Sequence, residues 1–282
     1  MILTIAEPEI APAARAGGIT LGKVAAASPV NCTPGPATMA QYLEGGAPSY
    51  TTPTAGVITS YSVRSSGAGL VRLVVFGPSD TAGHRTVVAM SAQNPVPVNT
   101  AVNTFPTRVP VTAGLSIGLN NSAGSMICWG AGFAGDQVAA VPFDPAGSSD
   151  FPGGNPQNTK RVNISAVLEP DVDGDQYGDL TQDLCPQSKL TQAACPAPDT
   201  TVTRKPKRKA ANRKPKIRFS STIAGSTFTC AVDGKAAKPC TSPYKKRFKV
   251  GKHTVVITAT SAVGIADPTP ARVKFKVTKA KA

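Results

Sequence analysis

The chain has 282 residues, 26 Gly, 26 Pro, only 16 % charged residues and a formal net charge of +14. That length suffices for two domains with cores of their own, and no run of about 18 apolar residues is present to span a membrane. The apolar residues keep no helical period, which excludes a helical bundle. Val and Thr recur instead, and their branched Cβ atoms suit the pleated surface of a strand.

In chain order, residues 1–18 read as a terminal segment. Met1–Ala6 is apolar, but no basic residue precedes it, and Glu7 and Glu9 follow. Ala14-Arg15-Ala16 fits a small-x-small cleavage pattern loosely, so the expectation is a signal peptide that is absent or truncated here. Residues 19–168 read as a first domain. Strands are predicted at Gly56–Arg64, Leu70–Phe76, Arg85–Ala92, Arg108–Val111, Leu115–Leu119, Met126–Trp129 and Arg161–Glu169, with Gly, Pro, Ser and Asn clusters between them. In the last, Val162, Ile164, Ala166 and Leu168 alternate onto one face, as a half-buried strand requires. So many short strands predict a jelly-roll-like β-sandwich.

Residues 169–198 predict an Asp-rich, calcium-binding linker. Asp171, Asp173, Asp175 and Asp179 occupy loop positions 1, 3, 5 and 9 of Asp171-Val-Asp-Gly-Asp-Gln-Tyr-Gly-Asp179. Alternate carboxylates in a tight turn converge on one centre, and Ca²⁺ is a hard ion that takes oxygen ligands. Tyr177 would add its backbone carbonyl, and Asp183 would close the shell. Gly174 and Gly178 would give the turn its freedom. Gln176 stands where an EF-hand loop has Gly.

Residues 199–282 predict a second all-β domain, with strands at Lys216–Ser220, Thr227–Val232, Tyr244–Lys249, His253–Ser261 and Ala271–Thr278, and a hairpin signal at Asp233-Gly234. Charge divides the chain near Asp199. Residues 1–198 hold 9 Lys+Arg against 13 Asp+Glu, or −4, and residues 199–282 hold 21 against 3, or +18. Six cysteines fall by proximity into Cys32/Cys128, Cys185/Cys195 and Cys230/Cys240, with no CxxC and no zinc spacing. Disulfides imply an oxidising compartment, hence a secreted or cell-surface protein.

Two resemblances rest on these residues. Asp171–Pro186 resembles a thrombospondin type 3 repeat, in which Asp-rich calcium loops end near a disulfide Cys; that likeness implies a local Cys185–Cys195 bridge. Residues 199–278 resemble the small immunoglobulin-like modules of large secreted bacterial proteins, through Asp199-Thr-Thr, Gly225-Ser-Thr-Phe-Thr-Cys230, Pro239-Cys240, Gly251-Lys-His-Thr and Asp267-Pro-Thr-Pro270. It implies an immunoglobulin-like sandwich on a bacterial exported protein.

Catalytic signals are weak. Gly114-Leu-Ser-Ile-Gly118 satisfies G-x-S-x-G, but a turn-like Asn120-Asn-Ser-Ala-Gly124 follows where a nucleophile elbow needs a helix. Ser116 is expected within a strand, and His84 and His253 as lone surface or edge-strand residues. Asp136 and Asp144 are expected as loop residues. The basic run Arg204-Lys-Pro-Lys-Arg-Lys209 has no interleaved aromatics to stack on bases, which argues against nucleic acid. Anionic cell-wall polymers or glycans are the partners its charge would suit. The expected function is a non-catalytic structural or adhesion protein with a calcium-rigidified linker. The alternative is carbohydrate or cell-wall binding through a lectin-like first domain.

Overall fold

The computed structural model describes residues 17–24, 30–31, 36–64, 67–80, 84–97, 101–123, 127–142, 144–145, 150–152 and 156–279, with residues 30–31, 122–123 and 127–128 described by their backbone alone. Every regular element among them is a strand. The chain divides into two compact units, Met1–Ala193 and Ala194–Ala282.

The first unit holds β1 (Ile19–Lys23), β2 (Val30–Asn31), β3 (Ala37–Leu43), β4 (Gly56–Arg64), β5 (Gly69–Ser79), β6 (Arg85–Met90), β7 (Asn94–Val96) and β8 (Val102–Val111). It continues with β9 (Ser116–Ala123), β10 (Ile127–Ala131), β11 (Gln137–Val141), β12 (Asp150–Phe151), β13 (Gln157–Asn158), β14 (Lys160–Val162) and β15 (Ile164–Glu169). One sheet runs β1-β15-β4-β8; a larger one runs β12-β6-β5-β9-β3-β11-β13, with β7 also paired to β5; a third runs β14-β10-β2. Leu21, Ile58, Tyr61, Ala166 and Leu168 from the first sheet pack with Met39, Leu73, Val75, Ile117 and Leu119 from the second in one core.

The alternation expected in Arg161–Glu169 holds: Val162, Ile164, Ala166 and Leu168 are all buried. The single strand expected there is instead two. Asn163, fully buried, breaks it by accepting from the Arg64 amide at 3.3 Å and donating to the Arg64 carbonyl at 2.6 Å. The chain thereby passes from the sheet of β14 to the sheet of β15. The near-continuous apolar run of β5 has its own reason. Leu73 and Val75 face the main core, while Val74 and Phe76 face a second cluster with Ala40 and Phe151. A strand covered on both faces needs no polar alternation.

The only wholly buried ion pair among the described residues supports this unit from within. Arg161 Nε donates to Asp136 Oδ2 at 2.7 Å, and its Nη1 donates to the Pro48 carbonyl at 2.8 Å. A further donation reaches the Gly46 carbonyl. Asp136 also accepts from the Gly45 and Phe133 amides. Burial alone would raise its pKa; the Arg161 and amide hydrogen bonds outweigh that and hold it below the usual carboxylate range. Asp136 is therefore a structural counter-charge rather than a plain loop residue. Asp144 pairs with Arg72.

The second unit holds β16 (Thr200–Arg204), β17 (Lys209–Ala210), β18 (Lys216–Ser221), β19 (Thr227–Val232), β20 (Lys238–Pro239), β21 (Tyr244–Lys245), β22 (Gly251–Thr260) and β23 (Ala271–Val277). Its sheets run β16-β18-β21 and β17-β23-β22-β19-β20. Ile217 and Phe219 of the first pack with Val255, Ile257, Val273, Phe275 and Val277 of the second. Asp233 and Gly234 both take positive φ, and Lys235 donates back to the Val232 carbonyl at 3.1 Å, so the expected hairpin turn forms. The strand expected over Tyr244–Lys249 stops at Lys245, beyond which Lys246 and Arg247 are exposed.

Cys230 and Cys240 are bonded to each other, and Cys185 and Cys195 are each disulfide-bonded. Cys32 and the side chain of Cys128 lie outside the described residues. Two disulfides point to an oxidising environment. No helix among the described residues is long and apolar enough to cross a membrane.

Candidate metal centre

β15 delivers the chain to the Asp loop, and its last residue anchors that loop to the sheet. Glu169 is only 2 % exposed. Its carboxylate accepts from Thr59 Oγ1 at 2.9 Å on neighbouring β4, from the Leu180 and Thr181 amides at 3.0 Å each, and from Thr181 Oγ1 at 2.8 Å. These donors satisfy a carboxylate that would otherwise be costly to bury. Gln182 Nε2 donates to the Thr107 carbonyl at 2.7 Å, and the Arg108 guanidinium lies 4.1 Å from the Tyr177 ring centroid. The loop is thus fastened to β4, β8 and β15.

Within the loop, carboxylates fold the backbone around themselves. Asp171 accepts from the Asp175 and Gln176 amides, at 3.0 Å each. Asp173 accepts from Asp175 at 3.1 Å, and Asp175 from Tyr177 at 2.9 Å. Asp179 accepts from the Val172 amide at 3.1 Å. Gly174 takes φ +71°, the freedom expected of it. Gly178 serves differently. It has no positive φ; a Cβ there would run into Thr59 and Glu169, so its role is close approach to the sheet. Gln176 takes φ +71° at the position where an EF-hand has Gly.

One ligand oxygen from each of Asp171, Asp173 and Asp175 can be chosen so that all lie within 4.8 Å of one another, a group that could hold a metal ion. Asp179 and Asp183 are 4 % and 0 % exposed. Asp183 Oδ1 accepts from the Cys185 amide at 2.7 Å. Asp173 Oδ2 and Asp183 Oδ2 are buried with no hydrogen-bond partner. An unpartnered buried carboxylate oxygen is costly, and native structures rarely keep one without water or an ion to meet it. Burial, with the Asp171, Asp183 and Asp173 charges, pushes Asp179 up to about 6 despite the Val172 amide. Burial and the Asp175, Asp183 and Asp171 carboxylates likewise raise Asp173. Every donor is a hard oxygen, and the crowding is of the kind a cation relieves. The Tyr177 amide donates within the loop and its ring stacks on Arg108.

Sequence spacing missed the supporting residues. Thr59, Thr107 and Arg108 reach the loop from strands distant in the chain, and Gln192 donates to Asp175 Oδ2 at 2.8 Å from the loop's far end. Glu169 follows an apolar strand and carries no signal of its burial. Elsewhere, Ser116 opens β9, buried, and accepts from Arg85 at 2.6 Å. His253 is not the lone surface residue expected. It lies on β22, with Nδ1 2.7 Å from Asp233 and Nε2 2.8 Å from the Lys249 carbonyl.

No family model matches the chain, and no curated protein matches it. Among solved structures it is similar to dimeric latent PorU from Porphyromonas gingivalis, at 12 % identity and a TM-score of 0.24 over 87 % of this chain and 24 % of that one. It is also similar to a beta-1,2-glucanase from Parabacteroides distasonis, at 11 % identity and a TM-score of 0.19 over 86 % of this chain and 30 % of that one. The chain therefore spans less than a third of either protein, and likenesses this slight carry no argument about function.

Proposed function

We propose that the chain is a non-catalytic extracellular structural or adhesion protein whose Asp loop binds Ca²⁺. The ligands would be Asp171, Asp173, Asp175, Asp179 and Asp183 with the Tyr177 carbonyl, and the ion would order residues 169–198. The observation that supports this reading is the pair of buried, unpartnered oxygens on Asp173 and Asp183, within a loop whose donors are all oxygen. Ca²⁺ takes six to eight oxygen ligands in flexible geometry, and a five-carboxylate shell suits it better than zinc or copper, which favour nitrogen and sulfur. A bound cation would offset the repulsion that raises Asp173 and Asp179. In the same reading the first unit is jelly-roll-like and the second immunoglobulin-like.

Hydrogen exchange in Ca²⁺ and in chelator tests the ordering, and retention on purified cell envelope tests the adhesive role. Amides of residues 171–183 gain protection with Ca²⁺, and retention falls in chelator. Equal protection in both conditions removes the calcium role, and retention indifferent to Ca²⁺ removes its link to adhesion.

A further inference from the structure

The second unit carries a charge arrangement that stability alone does not explain. In the parallel pair β17/β23, Lys209 lies opposite Lys276; in the antiparallel pair β22/β23, Lys276 lies opposite Lys252. Three lysines therefore stand abreast on neighbouring strands, about 4.8 Å apart at the backbone. Along β23, Arg272 and Lys274 extend the row, exposed, while Val273, Phe275 and Val277 turn inward. On the other sheet Lys216 faces Lys245 and Arg204 faces Arg218. Like charges directly opposite destabilise a sheet.

Among the unit's described residues no ion pair compensates them: no Lys or Arg there pairs with a carboxylate. Asp233 is taken up by His253 and the Thr254 amide, and Asp267 is buried against Thr200 and Thr269. The row thus presents its full charge to solvent.

We propose that the β17-β23-β22 face docks an anionic polysaccharide through Lys209, Lys252, Lys276, Lys274 and Arg272. A polyanion supplies the counter-charge the sheet lacks and gains by releasing its condensed cations. Thr254, beside Lys274 in register, adds a hydroxyl within reach of sugar oxygens. The row contains no aromatic on which a base could stack, which disfavours single-stranded nucleic acid. It offers no large apolar side chain to insert into a bilayer. The proposal rests on the extracellular reading but not on the metal.

The test is binding of the full chain to heparin, as the polysaccharide probe, in chelator. Lys209→Gln, Lys252→Gln and Lys276→Gln together weaken binding roughly tenfold and lower the salt dependence by about two charges. Lys216→Gln, Lys235→Gln and Lys238→Gln, the same charge loss elsewhere, cost less than about twofold, and Lys→Arg at the three ladder positions retains binding. Equal losses in both triple variants would reduce the effect to net charge and overturn the site. No binding, or tighter binding to a single-stranded oligonucleotide of matched charge, would overturn the ligand class. Because calcium is absent, failure of the metal reading leaves this outcome untouched, and the converse holds.

Discussion

Gln176 sits in the left-handed region at φ +71°, where a side chain costs about 1–2 kcal/mol that glycine does not. Glycine gives part of this back through its freer unfolded chain. Gln176→Gly is therefore expected to stabilise the loop by about 1 kcal/mol or less and to tighten Ca²⁺ binding. Urea denaturation at saturating Ca²⁺ checks it, and a loss of stability would mean that the glutamine makes a contact worth more than the strain. The Asp171, Asp173 and Asp175 cluster was legible because alternate positions within a tight loop bring carboxylates together. Glu169 was not: its partners Thr59, Leu180 and Thr181 meet it only once β4 and β15 pair.

Among elements, the turn before β11 is tied to β14 by the Asp136–Arg161 pair, buried at 0 % and 2 % side-chain exposure. Removing one partner leaves a buried charge alone. Arg161→Met is expected to cost about 3–5 kcal/mol, with Asp136→Asn in the same chain recovering part of it. Thermal unfolding of the two variants decides; a loss below about 1 kcal/mol in Arg161→Met would show the pair to be incidental. The hairpin of the second unit offers a pH test. Burial would lower His253, but the Asp233 and Lys249 hydrogen bonds win and raise it. Burial would raise Asp233, yet His253 and the Thr254 amide hold it low. The lowered carboxylate contributes above about pH 3.9, and the raised imidazole contributes below about pH 6.5. The stabilisation is lost as pH falls through the folded Asp233 value or rises through that of His253. Asp233 is 37 % exposed, so solvent screening limits the pair to about 1 kcal/mol or less. NMR titration should place His253 above its ordinary value and return it in Asp233→Asn; a value below ordinary contradicts the pair.

Element boundaries were legible where alternation was clean, as in Gly56–Arg64 and Thr227–Val232. They failed where another rule prevailed. Only Arg108–Val111 was readable in β8 because Pro106 argues against a strand through the residues before it; β8 is an edge, where a missing amide is tolerated. β3 went unread because Ala37-Thr-Met-Ala-Gln-Tyr-Leu43 does not alternate, and it lies between β9 and β11 with both faces covered.

For the whole molecule, the switch from −4 to +18 near Asp199 falls close to the division between the compact units at Ala193/Ala194. The Asp loop belongs to the first unit and is held there by Glu169, Gln182 and Arg108. The cationic row belongs to the second. Calcium and polyanion are thus expected to act on separate surfaces. The central claim is that the Asp loop holds a calcium ion, and isothermal titration of CaCl₂ into the full chain tests it most directly. One saturable site is expected, with a dissociation constant between about 10⁻⁶ and 10⁻³ M, and it is lost in Asp173→Asn with Asp183→Asn. No heat at millimolar Ca²⁺, or the same isotherm from that double variant, would contradict it.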